Sequence, residues 1–143
     1  MKAEKLDRVY IAVKDLDKAA KFFSEILGTT FTDPPFVKDE VSLRTAFSPI
    51  GVQLIEPTSP KAAVAKFIDN RGEGMFGLCF KVSNLDEAVA ALESRGIRPV
   101  TRVGEGKLMN VQFHPKDCFG VSLVLTAYPE KHGAEVAGRE IDG

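Results

Sequence analysis

One pattern occurs twice in this chain, and it limits the fold more than any other feature of the sequence. Residues 6–28 read LDRVYIAVKDLDKAAKFFSEILG and residues 75–96 read MFGLCFKVSNLDEAVAALESRG. Each is an alternating apolar run ending in Val13 or Val82, followed by a polar capping residue (Asp15 or Asn84), Leu-Asp, an amphipathic run and a glycine, Gly28 or Gly96. The two align without a gap, Arg8 over Gly77 and Asp17 over Asp86. Self-similarity at a fixed offset marks one supersecondary unit used twice.

Read in order, the first copy predicts a strand over 6–13 and a helix over about 16–27 capped by Asp15. Its buried stripe is Leu16, Ala19, Phe23, Ile26 and Leu27, and Gly28 ends it. A short strand over 29–36 closes at Pro34-Pro35, and 41–47 and 51–56 form a hairpin. Residues 61–72 form a linking helix with Val64, Phe67 and Ile68 inward. The second copy predicts strand 75–82, helix 85–95 and strands 98–103, 108–114 and 120–127. The chain therefore divides into a βαβββ module over 1–57, a linker over 58–73, a second module over 74–128 and a loosely held tail over 129–143, in which His132 has no role. The class is α+β.

Composition excludes more than it suggests. The formal net charge of −1 offers no field for nucleic acid or an anionic membrane. No apolar run nears the roughly 20 residues of a membrane span. The N-terminus MKAEKLD lacks the apolar core of a secretory signal. Cys79 and Cys118, with no CxxC spacing, read as reduced thiols of a cytoplasmic protein, one disulfide between them being the alternative.

With helices on one face of each module's sheet, the opposite faces are left to line a cup. Alternation assigns Val9/Ile11/Val13, Phe76/Leu78/Phe80/Val82 and Val121/Leu123/Leu125 to the helix side. The cup then receives Arg8, Tyr10 and Ala12, Gly77 and Cys79, Gln53, Ser122 and Val124. Ser42/Arg44/Ala46 and Asn110/Gln112/His114 join them if their strands take the same register. Two guanidiniums in an enclosed cup are costly unless an anion pairs with them.

IAVKDLDKAAKFFSEILG, VQLIEP with SPKAAVAKFIDNRGEGM, and FHPKDCFGVSLVLTAYP together resemble the vicinal oxygen chelate superfamily, which includes glyoxalase I, extradiol dioxygenases and bleomycin-resistance proteins. The wording is most similar to its methylmalonyl-CoA epimerase branch, over nearly the whole chain to Tyr128. The resemblance implies two tandem βαβββ modules forming a cupped mixed sheet, an isomerase or lyase activity, a small anionic metabolite or acyl-CoA as partner, and a homodimer.

It also implies where a divalent metal would be held, and there the sequence departs. The four ligand positions, usually His, Glu or Gln, His and Glu, are occupied by Arg8, Gln53, Gly77 and Val124. Only Gln53 offers a donor, and Arg8 brings a permanent charge of the wrong sign. Cys79 and His114 are the residues from which a metal site could otherwise be rebuilt. The family's proton-abstracting glutamate is matched by Arg44. The sequence therefore reads as a metal-independent, cofactor-free isomerase or lyase in which Arg8, with Arg44, Tyr10 and His114, forms the catalytic set. Gln53, Cys79, Asn110, Gln112 and Ser122 would bind substrate. The alternatives are a non-catalytic, resistance-type binding protein, and a metal-dependent methylmalonyl-CoA epimerase or lactoylglutathione lyase.

Overall fold

The structure is a computed structural model, and it describes residues 1–105 and 108–128. The expected tail over 129–143, with His132, lies outside the described residues. The chain gathers into two compact units, one of Val9–Phe76 and one of Met1–Arg8 with the described residues from Gly77 onward. The division falls inside the first strand, β1 (Ala3–Ala12), and not between the two repeats.

In the Val9–Phe76 unit, β1 runs into α1 (Leu16–Leu27), β2 (Phe36–Lys38), β3 (Leu43–Ser48), β4 (Val52–Pro57) and α2 (Ala63–Arg71). The strand order is β2-β3-β4-β1, with β1 parallel to β4 and the other pairs antiparallel. Asp15 caps α1 as expected, its carboxylate accepting from the Lys18 amide at 3.1 Å. Gly28, at φ 62°, ends the helix in the left-handed conformation.

The α1 stripe is used only over its first turns. Leu16, Ala19, Ala20 and Phe23 pack with Val13, Ala46 and Leu54, while Ile26 and Leu27, expected inward, are exposed. The strand expected over 29–36 shrinks to Phe36–Lys38. Thr29 and Thr32 spend their hydroxyls on β3 instead: Thr29 Oγ1 lies 2.7 Å from Ser48 Oγ, and Thr32 Oγ1 accepts from the Phe47 amide at 3.0 Å. Pro34 and Pro35 have no N–H with which to extend a ladder.

The other unit repeats the topology with β5 (Gly74–Val82), α3 (Leu85–Glu93), β6 (Pro99–Glu105), β7 (Leu108–Phe113) and β8 (Ser122–Thr126). Its strand order is β5-β8-β7-β6, β5 being parallel to β8. Asn84 caps α3 through the Glu87 amide at 3.0 Å. Val82, Ala88, Val89, Val111, Phe113 and Leu125 form the core between α3 and the sheet, with Phe80 and Leu123 against it. The opposite face carries Cys79, Ser122, Val124, Asn110 and Gln112, as alternation predicts.

Candidate functional site

Two expectations fail at once. Ala46 packs into the α1 core with Leu54, so Arg44, two residues away on β3, lies on the helix side of its sheet. There its guanidinium meets Glu56 at 3.0 Å and Asp17 of α1 at 3.3 Å. The Glu56 hydrogen bond is the main cause that raises its already high pKa, so the charge is permanent and spent within the unit. The face expected of Ser42/Arg44/Ala46 belongs to Leu43, Thr45 and Phe47 instead, one residue out of register. His114 also leaves the sheet. β7 ends at Phe113, and the exposed His114 caps a single 3₁₀ turn, its Nδ1 accepting from the Lys116 amide at 3.0 Å.

In the same unit as Arg44, Tyr10 and Gln53 are register partners on β1 and β4, both buried. Gln53 Nε2 donates to Thr45 Oγ1 at 2.8 Å, and Thr45 in turn donates to the Leu54 carbonyl at 2.8 Å.

The polar centre of the other unit is built on Arg8, which is 1 % exposed. Its Nη1 donates to Asp7 in a close ion pair, and Nη2 donates to Asn110 Oδ1 at 2.9 Å. The Tyr128 hydroxyl donates to the other Asp7 oxygen, which Lys5 Nζ approaches to 3.9 Å. Lys81 lies 4.7 Å above the Tyr128 ring and 3.4 Å from Glu4. One strand along, Gln112 Nε2 donates to Ser122 Oγ at 2.5 Å and accepts from Thr101 Oγ1 at 3.0 Å. Cys79 sits in the same row, fully buried and paired in register with Val124. Of the residues singled out from sequence, the structure thus brings Arg8, Cys79, Asn110, Gln112 and Ser122 into one unit. Arg44, Tyr10 and Gln53 belong to the other, and His114 stands on a turn.

Asp7 and Tyr128 were missed. Alternation places neighbours on opposite faces, so nothing local brings the Asp7 carboxylate onto the Arg8 guanidinium. The only sequence signal was an acid-base neighbour pair in a strand, and that also fits a surface pair. Its burial changes the meaning of Arg8. The anion that the sequence demanded for this guanidinium is supplied in large part by the protein itself.

Tyr128 is locked in its neutral form. Burial first, and the hydrogen bond to Asp7 second, push its pKa far above that of an ordinary tyrosine. In the unfolded chain it ionises near pH 10. Its stabilising contribution is therefore complete below about pH 10 and is lost as pH rises through the folded value. Urea unfolding of wild type should show a decline of up to about 1.4 kcal/mol per pH unit above pH 10 that Tyr128→Phe removes. Equal slopes in the two proteins would discard this account. Burial, and then the Asp117 charge, raise the pKa of the Cys118 thiol.

The donor set does not fit a divalent metal. Of the four implied ligand positions, Arg8 holds a buried cation, Val124 has no donor, and Gly77 has no space for one. A Cβ at Gly77 would lie 2.2 Å from the Ser122 carbonyl oxygen and 2.8 Å from Ser122 Cβ. Among the described residues no three His, Cys, Asp or Glu side chains stand together as a metal site. No helix among them is long and apolar enough to cross a membrane.

Residues 7–113 match the family model described as the glyoxalase/bleomycin resistance protein/dioxygenase superfamily. Human mitochondrial methylmalonyl-CoA epimerase is 33 % identical over 129 residues, covering 85 % of this chain and 72 % of that protein. Two solved structures have the same fold. A variant of Streptomyces coelicolor methylmalonyl-CoA epimerase in complex with 2-nitronate-propionyl-CoA superposes with a TM-score of 0.81 at 28 % identity, covering 90 % of this chain and 100 % of that one. The Mycobacterium tuberculosis methylmalonyl-CoA epimerase gives 0.80 at 33 % identity, covering 90 % and 91 %. Tandem βαβββ units, the repeat that encodes them and these matches together establish that the chain belongs to the glyoxalase/bleomycin resistance protein/dioxygenase superfamily, with methylmalonyl-CoA epimerases among its relatives.

Proposed function

We propose that this protein binds a small carboxylate or acyl-CoA thioester and acts on it as an isomerase or lyase without a divalent metal. Arg8 holds the anion, or the oxyanion that develops during reaction. The observation that carries this reading is the burial of Arg8 at the first of the implied metal-ligand positions, held there by Asp7 and Asn110. A guanidinium fixed by its own carboxylate is a preorganised donor. Asp7 removes most of its net charge but also the need to reorganise it when negative charge appears on a substrate oxygen. The acyl-thioester class is supported by the relatives, one of which was solved with a propionyl-CoA analogue. The same proposal makes the protein a cytoplasmic homodimer.

One observation favours a second reading, capture without chemistry. Epimerisation needs a group that takes a proton from carbon, and three candidates are already engaged. Asp7 is ion-paired, Tyr128 is held neutral and His114 Nδ1 caps a turn.

Deuterium exchange at C2 of methylmalonyl-CoA in D₂O, followed by NMR with chelator and with added Co²⁺, separates the readings. Exchange that persists in chelator is the expected result. Binding with no exchange under either condition establishes capture. Exchange that needs the metal overturns the role given to Arg8.

A further inference from the structure

The turn that leads into β8 carries a residue in a conformation that its side chain disfavours. Phe119 has φ 56°, in the left-handed region, and is followed by Gly120 at φ 84°. An L-residue with a Cβ is strained there, which is why glycine or asparagine usually fills such a place. Burial does not offset that strain, because Phe119 is 103 % exposed, the most exposed of the large apolar residues described. The turn beneath it is firmly built. The Gly120 amide donates to the Pro115 carbonyl at 2.8 Å, the Val121 amide to Cys118 at 3.1 Å and the Asp117 amide to His114 at 3.0 Å. A strained residue that stays on a rigid, exposed turn is a reason to look for a function.

We propose that Phe119 is a stacking platform for the adenine ring of a coenzyme-A-type ligand, with Lys116 on the same turn meeting a phosphate of its nucleotide. This rests on the acyl-thioester reading above. An exposed aromatic face takes any purine, because every base presents a π-face, and an ammonium on the same turn favours the phosphate. Asp117 lies beside Lys116, so stacking and not net charge carries the affinity. The turn also leads directly into the strand that carries Ser122. Ser122 lies three residues beyond Phe119, where the turn ends and β8 begins, and its hydroxyl accepts from Gln112 Nε2.

The test uses adenosine 3′,5′-bisphosphate, propionyl-CoA and propionyl-pantetheine as separate calorimetric probes on wild type, Phe119→Gly and Lys116→Ala. Glycine suits the left-handed position, so Phe119→Gly should melt no lower than wild type. It should nevertheless bind the bisphosphate and propionyl-CoA about 5- to 150-fold more weakly, with propionyl-pantetheine unchanged. Equal bisphosphate affinity in wild type and Phe119→Gly, or no bisphosphate binding by wild type, overturns the platform. So does a Phe119→Gly protein that changes oligomeric state without changing nucleotide affinity, which would give the ring to a protein contact. If the bisphosphate binds in a Phe119-dependent way while both propionyl thioesters bind no better, the acyl-thioester reading falls and the platform stands.

Discussion

Replacing Arg8 with methionine should lower stability by about 3–5 kcal/mol, because it removes the close countercharge of the buried Asp7 carboxylate and leaves only the partly exposed Lys5 at 3.9 Å. That is a large part of the roughly 5–15 kcal/mol that holds a domain folded. Asp7→Asn should cost a similar amount for the mirror-image reason, leaving a buried guanidinium beside a neutral amide. The double variant Asp7→Asn/Arg8→Met should lose much less than the sum, since neither charge is then left buried without the other. Urea unfolding of the four proteins closes the cycle. Additive losses, or losses below about 1 kcal/mol, would mean that Asp7 and Arg8 are not a coupled buried pair, and Arg8 would lose the positioning claimed for it. If the cycle shows strong coupling, the Arg8 variant tests function only under conditions where it remains folded. Arg8→Lys is then the useful companion, because it keeps the charge and removes the planar fork that reaches Asp7 and Asn110 together.

Gly77→Ala is expected to be strongly damaging for a single added methyl. The new Cβ would fall 2.2 Å from the carbonyl oxygen of Ser122, its register partner on the parallel strand β8. The obstacle is backbone, so no side-chain rotation relieves it, and β5 and β8 must move apart where their ladder is buried. Overpacking ordinarily costs about 1–3 kcal/mol, and a backbone clash places this variant at or above the top of that range. Thermal unfolding or soluble yield reads it directly, and melting within a degree or two of wild type would show that the strands yield easily. The functional consequence is sharper than the stability loss. Gly77→His, the change that would return the family's usual ligand to that position, should neither fold normally nor create metal affinity, even alongside Arg8→His and Val124→Glu. The strand spacing, and not side chains alone, would then keep a ligand from that position.

The repeat made the architecture readable from sequence. Asp15 and Asn84 cap helices where polar residues precede an amphipathic run, and the period-2 runs around Val13 and Val82 become the first strands of the two repeats. These features are local. A capping side chain reaches an amide three residues on, and alternation follows from the pleat of a single strand. The residue types at the implied metal positions, Arg8, Gln53, Gly77 and Val124, were equally legible, because they need no tertiary structure to read.

Register and pairing were not local, and there the sequence ran out. Arg44 was assigned to the wrong face because one residue of slip along β3 exchanges its two faces, and Ala46 against Leu54 decides the matter only once α1 is in place. His114 left the sheet because Pro115 opens a 3₁₀ turn that takes it as a cap. Asp7 and Tyr128, 121 residues apart, meet through a hydrogen bond that no local pattern foretells. The sequence by itself determined the repeated unit and its helix caps, since each depends on neighbours within a few residues. Only the tertiary structure decided that the buried arginine brings its own carboxylate, because the partners of a charge taken out of water are set by packing between distant segments.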